Sequence, residues 1–188
     1  SVLSSLLRLP EVVNPSNEMI SEADFKEFNN VLMMALKDLN KHRQEEGESL
    51  KKELISRISK IREQEEAILV FEPNRKTRIK EEINKLLLEH VGKENIDNNR
   101  MEQELIYYME KIDIHEEQIR LRQHCEYFAE IINSDSDSKG KKLSFLLQEM
   151  GREINTTGSK AYDVDIQKCV VVMKDELEKA KELILNVL

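Results

Sequence analysis

Turn-forming and aromatic residues are scarce in this sequence. It has five glycines, three prolines and no tryptophan among 188 residues, and aromatic residues make up 5% of the chain. So few glycines and prolines leave little material for the many tight turns of a β-rich domain, which favours one largely helical unit. The hydrophobic 39% of the chain is enough to cover seams between helices, whereas a thick globular core would need more aromatic residues.

Other absences exclude several classes of function. No apolar run approaches about 18 residues, so the sequence offers no membrane span, and it shows no signal-peptide pattern. A glycine-rich phosphate loop, a Cys/His zinc spacing, a serine nucleophile elbow and an RNA-recognition signature are also missing. Cys125 and Cys169 are the only cysteines, and their wide separation favours a reducing compartment over a disulfide framework. We therefore expect a cytoplasmic protein.

The charge balance limits how the chain could meet a nucleic acid. The formal net charge of −8 argues against a uniformly basic coat, so contact with RNA would depend on local basic patches or on a bound metal ion. The first residue is serine rather than methionine, and we expect a further N-terminal domain to precede it.

Helical periodicity runs through most of the chain. Ser21 and Asp24 form an N-cap pattern, and apolar residues then recur at helical spacing to about Val70. Such a helix extends about 70 Å, too long to be buried within a small domain, so another long helix or another subunit must cover it. We expect this helix to protrude from the rest of the molecule.

Pro73 predicts a break or kink after this helix, because proline lacks a backbone donor and disfavours helix at the preceding residue. Further helices are predicted at about residues 74–90, 99–132 and 164–188, the last with a seven-residue apolar repeat. The expected fold is all-α: an elongated antiparallel helical bundle with a long protruding helical hairpin or arm. We expect two domains, an N-terminal segment with the helical arm (residues 1–98) and a C-terminal helical domain (residues 99–188).

The most informative stretch is GKKLSFLLQEMGREINTTGSKA, residues 140–161. Glu149 and Glu153 lie one turn apart at the edge of an apolar helix face, where a carboxylate is costly unless it is paired, hydrogen-bonded or bound to a cation. An amphipathic helix flanked by ordinary salt bridges would have the same spacing. The apolar face itself consists of Leu143, Leu146, Leu147, Met150 and Ile154.

A second polar pair lies in the preceding predicted helix. Glu117 and His124 are two turns apart on one apolar face, with Arg120 at its edge. Side chains at this spacing could act together only if a third group or an ion lay between them. The alternative is that His124 is a hydrogen-bonded residue of the core. The pattern differs from that of ferritin-like di-metal proteins, because Leu121 stands where the Glu-x-x-His motif requires glutamate.

Basic residues flank the stretch 140–161 at both ends. Lys141 and Lys142 stand at its start, where the helix dipole disfavours cations, so phosphate binding or simple solubility would explain them. We expect residues 155–159 to end the helix and to offer amide, hydroxyl and backbone hydrogen-bond donors. Lys160 follows them directly. Arg152 is expected to project away from the core.

The same stretch resembles the C-terminal signature of the YicC/YloC family of bacterial proteins. There, a Gly-basic-basic-Leu-x-Phe-x-x-Gln-Glu run leads into Arg-Glu-x-Asn-Thr and then Ser-Lys. Two residues depart from the family pattern: Gly151 replaces a common asparagine, and His115 replaces a small residue. The likeness spans nearly the whole chain, and its upstream residues are Arg43, Glu46, Gly47, Asn99, Arg100, Glu102, Glu104, Ile112, Asp113, Ile114, Glu116, Glu117, Arg120, Leu121 and His124.

The resemblance implies a metal-dependent endoribonuclease of bacterial RNA turnover or stress response. It further implies a divalent ion, Mn or Mg, RNA as the substrate, and a ring-like homo-oligomer, a hexamer in the longer protein. Combined with the spacing, it predicts a catalytic, metal-holding set of Glu117, His124, Glu149 and Glu153. The residues expected to hold RNA phosphates are Arg120, Lys141, Lys142, Arg152 and Lys160.

Two other functions fit the sequence: a helical scaffold without chemistry, and an RNA-binding regulator that passes RNA to another nuclease. A scaffold predicts that Glu117 and His124 are satisfied by nearby arginine or backbone groups. The enzyme predicts that the four catalytic candidates converge. Attack by water and attack by the RNA 2′-hydroxyl with His124 as base are both compatible with these residues.

Overall fold

The computed structural model describes residues 2, 21–90, 98–134 and 139–185. Within these ranges the helices are α1 (Glu22–His90), α2 (Asn98–Lys111), α3 (His115–Asn133), α4 (Gly140–Ala161) and α5 (Val164–Ile184). No strand occurs among the described residues, which confirms the prediction of an all-α helical bundle. Across the same ranges, no helix has the length and apolar character needed to cross a membrane.

The chain divides into two compact units, residues 1–46 and 47–188, and α1 contributes to both. At the start of α1 the Ser21 Oγ accepts a 3.1 Å hydrogen bond from the Asp24 backbone N–H, so the predicted N-cap is confirmed. In the first unit the described residues 21–46 are exposed except for Asn29, which is half-buried. The functional boundary near residue 98 stays a prediction.

The second unit holds the hydrophobic core. Helix α4 packs against both α3 and α5, and its predicted apolar face is buried at all five positions. From α1 the core takes Leu54, Ile58, Ile61 and Ile68, whose spacings of four, three and seven residues fit a coiled-coil seam. The seven-residue repeat of α5 is buried as predicted from Ile166 to Ile184.

The predicted break at Pro73 is wrong, because α1 continues as helix to His90. Proline inside a helix costs about 3 kcal/mol, so tertiary contacts must hold this segment. Arg75, two residues later, is 1% exposed. It donates two 2.7 Å hydrogen bonds to the Glu72 carboxylate, and Ile68 and Ile79 are buried on either side.

The single helix predicted over residues 99–132 is also wrong, because helix α2 ends at Lys111 and α3 begins at His115. Ile112 and Ile114 are buried at this junction. The Ile112 carbonyl accepts a 3.0 Å hydrogen bond from the Arg75 guanidinium, and the Asp113 carboxylate accepts one from the His115 backbone N–H. The same arginine therefore stabilises both features that local patterns predicted incorrectly.

Helix α4 does not end at residues 155–159 but continues to Ala161, and Tyr162 follows in the left-handed region with φ 43°. Arg75 satisfies the last carbonyl of α4 with a 2.9 Å hydrogen bond to Ala161 O. Gly158 is a packing residue rather than a cap, because a Cβ there would lie 3.0 Å from a methyl group of Val170 on α5. A Cβ at Gly151 would likewise lie 3.1 Å from Leu177, so the glycine that departs from the family pattern lets α4 and α5 approach closely.

Candidate active site

Helices α3 and α4 form an antiparallel pair, which we call the site hairpin. Two ion pairs define its register: Lys160 Nζ lies 2.7 Å from Glu117 Oε1, and an Arg120 nitrogen lies 3.9 Å from Glu153 Oε1. As residue numbers rise along α3, their partners on α4 therefore fall. This register brings the two predicted polar pairs to the same side of the packed helices.

Glu117 is buried in the first turn of α3, with 7% of its surface exposed. One carboxylate oxygen accepts the hydrogen bond from Lys160, while the other, Oε2, is buried and has no hydrogen-bond partner among the described residues. The neighbouring Gln118 Nε2 is also buried without a partner there. Buried polar atoms are normally satisfied, so the start of α3 has unused hydrogen-bonding capacity at the candidate site.

Glu153 is the electrostatic centre of the site and is 5% exposed. Burial raises the pKa of its carboxyl group, and the negative charges of Glu117 and Glu149 raise it further. The charge of Arg120 and the nearby His124 side chain oppose this rise in the pKa of Glu153 without cancelling it. The neighbours that act on Glu153 thus include the other three residues predicted to be catalytic.

The outer part of the site is more open to solvent. Glu149 and His124 are half-buried, and Arg152 is exposed and lies 3.2 Å from the Glu149 carboxylate. Arg120 is also paired with Glu116, one turn before it on α3. The direction predicted for Arg152 is confirmed.

The structure brings the predicted residues together only in part. Glu117, His124, Glu149 and Glu153 share one electrostatic neighbourhood, but no three His, Cys, Asp or Glu side chains in the described part of the chain could hold a metal ion. Three of the predicted phosphate-binding residues, Arg120, Arg152 and Lys160, are engaged with carboxylates of the site. The other two, Lys141 and Lys142, are exposed on α4.

The sequence analysis did not identify Arg75, which supports the site by binding the backbone at the C-terminal end of α4. Besides Ala161 O, its guanidinium reaches the carbonyl oxygen of Lys160 at 3.4 Å, so it holds the backbone of the residue that pairs with Glu117. A neighbouring contact joins Arg78 to Asp163, whose carboxylate caps the N-terminus of α5. In the sequence, an arginine three residues after a glutamate is typical of a surface ion pair. No local pattern therefore predicts that Arg75 supports the site.

The model of the family "Endoribonuclease YicC-like, C-terminal" matches residues 68–188, which include the whole site hairpin. The chain belongs to this YicC-like family. A protein of Clostridioides difficile named "Probable endoribonuclease YicC" is 33% identical over 185 residues, covering 97% of this chain and 63% of that protein. A protein of the same name from Haemophilus influenzae is 31% identical over 195 residues, with coverage of 98% and 63%.

This chain therefore spans somewhat less than two thirds of the length of these two relatives. The YicC-like family is named for endoribonucleases, and the match covers α2 to α5 in full. Every residue that we assign to the candidate site lies inside the matched range.

Proposed function

We propose that this YicC-like protein is an endoribonuclease whose active site is the cluster around Glu153 in the site hairpin. The observation that carries the proposal is the incomplete compensation of two buried carboxylates on facing helices. Among the residues that the structure describes, one buried oxygen of Glu117 has no partner, and the ion pair of Glu153 is a 3.9 Å contact with Arg120. Uncompensated buried carboxylates are costly to a fold, which favours a role in chemistry.

The cluster contains the groups that cleavage of a phosphodiester requires. A base must take the proton from the attacking oxygen, and an acid must protonate the leaving oxygen. The raised pKa of Glu153 brings its protonation nearer to neutral pH, where acid–base catalysis is efficient. We assign one of these two roles to Glu153 and the other to His124, which lies half-buried beside it.

Cationic side chains would bind the substrate and stabilise the transition state. Arg120 lies at Glu153 and is 55% exposed, so its guanidinium can contact a phosphate while it neutralises the growing charge. Arg152, Lys141 and Lys142 would hold neighbouring phosphates along α4. Lys160 instead fixes Glu117 in place.

The donor set suits a divalent ion that keeps much of its water shell. Three carboxylates share the neighbourhood, and like-charge repulsion contributes to the raised pKa of Glu153. Mg²⁺ commonly uses one or two carboxylates together with substrate phosphate rather than a closed protein cage. We propose that Glu149 holds Mg²⁺ or Mn²⁺ together with the bound RNA, which leaves Glu153 free for its acid–base role. Such an ion supplies Lewis-acid stabilisation of the phosphate.

Cleavage of an end-labelled single-stranded RNA, with and without Mn²⁺, tests the proposal. Glu149→Gln and His124→Ala should each lower the cleavage rate by about 100-fold or more, because each removes a group that acts on the reacting atoms. Glu130→Gln is the matched control, since Glu130 is an exposed carboxylate elsewhere on α3. Undiminished cleavage by both site variants would refute the assignment. A cyclic phosphate product would identify 2′-hydroxyl attack.

The alternative of an RNA-binding regulator draws support from the paired state of Glu117 and Glu149. It predicts that the purified protein binds the same RNA and leaves it intact under every divalent ion. The cleavage assay decides between the two functions, because the enzyme and the regulator differ in product formation and not in affinity.

A further inference from the structure

Helix α4 carries an exposed face whose charges are all of one sign. In this helix, which the structure describes from end to end, the exposed charged residues are Lys141, Lys142 and Arg152, and no exposed residue is acidic. The whole chain, in contrast, has a net charge of −8. A cationic strip on an acidic protein complements a polyanion.

An aromatic side chain interrupts this strip. Phe145 lies between the lysines and the arginine and is 60% exposed. It precedes Glu149 by four residues, so it occupies the same side of α4 one helical turn away. Leaving a phenylalanine in water forfeits the free energy of its burial, and the buried face of α4 lies elsewhere on the helix.

A second exposed aromatic side chain occupies the matching place on α3. Tyr127 follows His124 by three residues and is 51% exposed. Because α3 and α4 run antiparallel in the register set by Glu117 with Lys160, the step from His124 to Tyr127 and the step from Glu149 to Phe145 lead to the same end of the site hairpin. The two rings therefore flank the candidate active site on one side.

We propose that Phe145 and Tyr127 form a stacking site for unpaired bases of single-stranded RNA, next to the phosphate that is cut. The inference rests on the proposed function and adds the two side chains that would hold the bases beside the reacting phosphate. Aromatic rings beside a cationic strip bind single strands, because bases stack on the rings while lysine and arginine hold the phosphates. Bases within a duplex are already stacked and paired, so the site selects unpaired RNA.

Binding measurements test the stacking site without requiring cleavage. Phe145→Leu and Tyr127→Leu keep apolar bulk and remove the ring, and each should weaken binding of a single-stranded RNA about tenfold. Affinity for duplex RNA should stay the same. Tyr107→Leu, at an exposed aromatic residue of α2, is the control and should bind like the parent. If cleavage is observed, KM should rise and kcat should stay within about threefold.

An abasic nucleotide in the RNA separates stacking from a structural role. An abasic nucleotide placed opposite the ring should weaken RNA binding by the parent protein about tenfold. On that abasic RNA, Phe145→Leu should cause no further loss of affinity, because the two changes remove the same interaction. Equal losses by Phe145→Leu on complete and abasic RNA would overturn the proposal, as would unchanged affinity in both leucine variants. A leucine variant whose assembly mass, measured by light scattering, changes while its RNA affinity stays intact would also overturn the proposal.

The unmodified protein provides a readout that does not depend on the folding of a variant. An RNA that carries 2-aminopurine should lose fluorescence on binding as the base stacks on a ring, and unchanged fluorescence along the whole bound strand would overturn the stacking site. If no RNA is cut but the 2-aminopurine is quenched, the proposed function fails while the stacking site stands.

Discussion

Two sets of carboxylates in the second unit differ in how completely they are compensated. The first set, which we call the structural carboxylates, comprises Glu65, Glu72 and Glu176, and both oxygens of each accept a hydrogen bond from a cationic side chain. The second set comprises Glu117 and Glu153 of the site hairpin, which are more deeply buried than Glu72. Among the described residues, one Glu117 oxygen has no partner and Glu153 has an ion pair at 3.9 Å.

The pKa values of Glu176, from the first set, and Glu153, from the second, shift in opposite directions. Burial alone would raise the pKa of Glu176, but hydrogen bonds from Lys179 and Arg57 outweigh it, and the net shift is downward. For Glu153 burial prevails, and the pKa is raised. The comparison shows that burial by itself does not mark a functional carboxylate. What distinguishes the site is burial without full compensation, which leaves capacity to bind a ligand or to exchange a proton.

The largest expected effect comes from breaking a structural pair. Arg75→Met should lower the free energy of unfolding by about 3–5 kcal/mol, because it leaves Glu72 and three backbone carbonyls without their donor. Urea unfolding measures the change. Arg152→Met is the matched control: its partner Glu149 is half-buried and the arginine is exposed, so the loss should be at most about 1 kcal/mol. Equal losses would contradict the structural role of the Arg75–Glu72 pair.

Opposite pH dependences of stability would sharpen the comparison. The pKa of Glu153 is higher in the folded state than in the unfolded chain. Just above the ordinary glutamate pKa of about 4.5, the folded state therefore binds more protons than the unfolded state. The contribution of Glu153 to stability therefore falls as pH rises through that window. Glu176 has a lowered pKa, so its contribution is present above pH 4.5 and is lost as pH falls through the folded pKa.

Unfolding free energies of Glu153→Gln and Glu176→Gln, measured relative to the parent from pH 3 to 8, should reveal these two trends. Relative to the parent, Glu153→Gln should gain stability as pH rises, and Glu176→Gln should lose it. Parallel curves for the two variants would show that the two carboxylates have the same electrostatic environment.

The smallest expected effect is on RNA affinity, from replacing an exposed lysine of α4 that pairs with neither set of carboxylates. Lys141→Ala should weaken RNA binding and reduce the slope of log affinity against log salt by about one, because one phosphate contact is lost. Stability should hardly change. Lys174→Ala, at an exposed lysine of α5, is the control and should leave the slope unchanged. An unchanged slope for Lys141→Ala would remove this residue from the RNA-binding surface.

Local sequence patterns predicted the helices and the members of the site better than they predicted its contacts. The apolar face from Leu143 to Ile154 is buried as predicted, because helical spacing alone determines which residues share a face. The helix break at Ile112 and the continuous helix through Pro73 were not predictable in this way. Both depend on Arg75, whose partners lie 37 and 86 residues away in sequence.

The site itself shows the same limit. Burial of Glu117 and Glu153 follows from their positions beside apolar faces, which the spacing indicates. Their partners, Lys160 and Arg120, depend on the register of α3 against α4, which periodicity leaves undetermined. The sequence pattern therefore assigns Lys160 and Arg120 to RNA alone, although the structure pairs each with a carboxylate of the site.

The most direct test of the central claim compares RNA cleavage by Glu153→Gln and Glu176→Gln. Both variants exchange a buried carboxylate for an amide of the same size, so they differ in which set the residue belongs to. Cleavage rates are measured per folded molecule, with the folded fraction taken from circular dichroism. We predict that Glu153→Gln lowers the rate by about 100-fold or more while remaining folded, and that Glu176→Gln keeps the parent rate. Equal rates for the two variants would contradict the account.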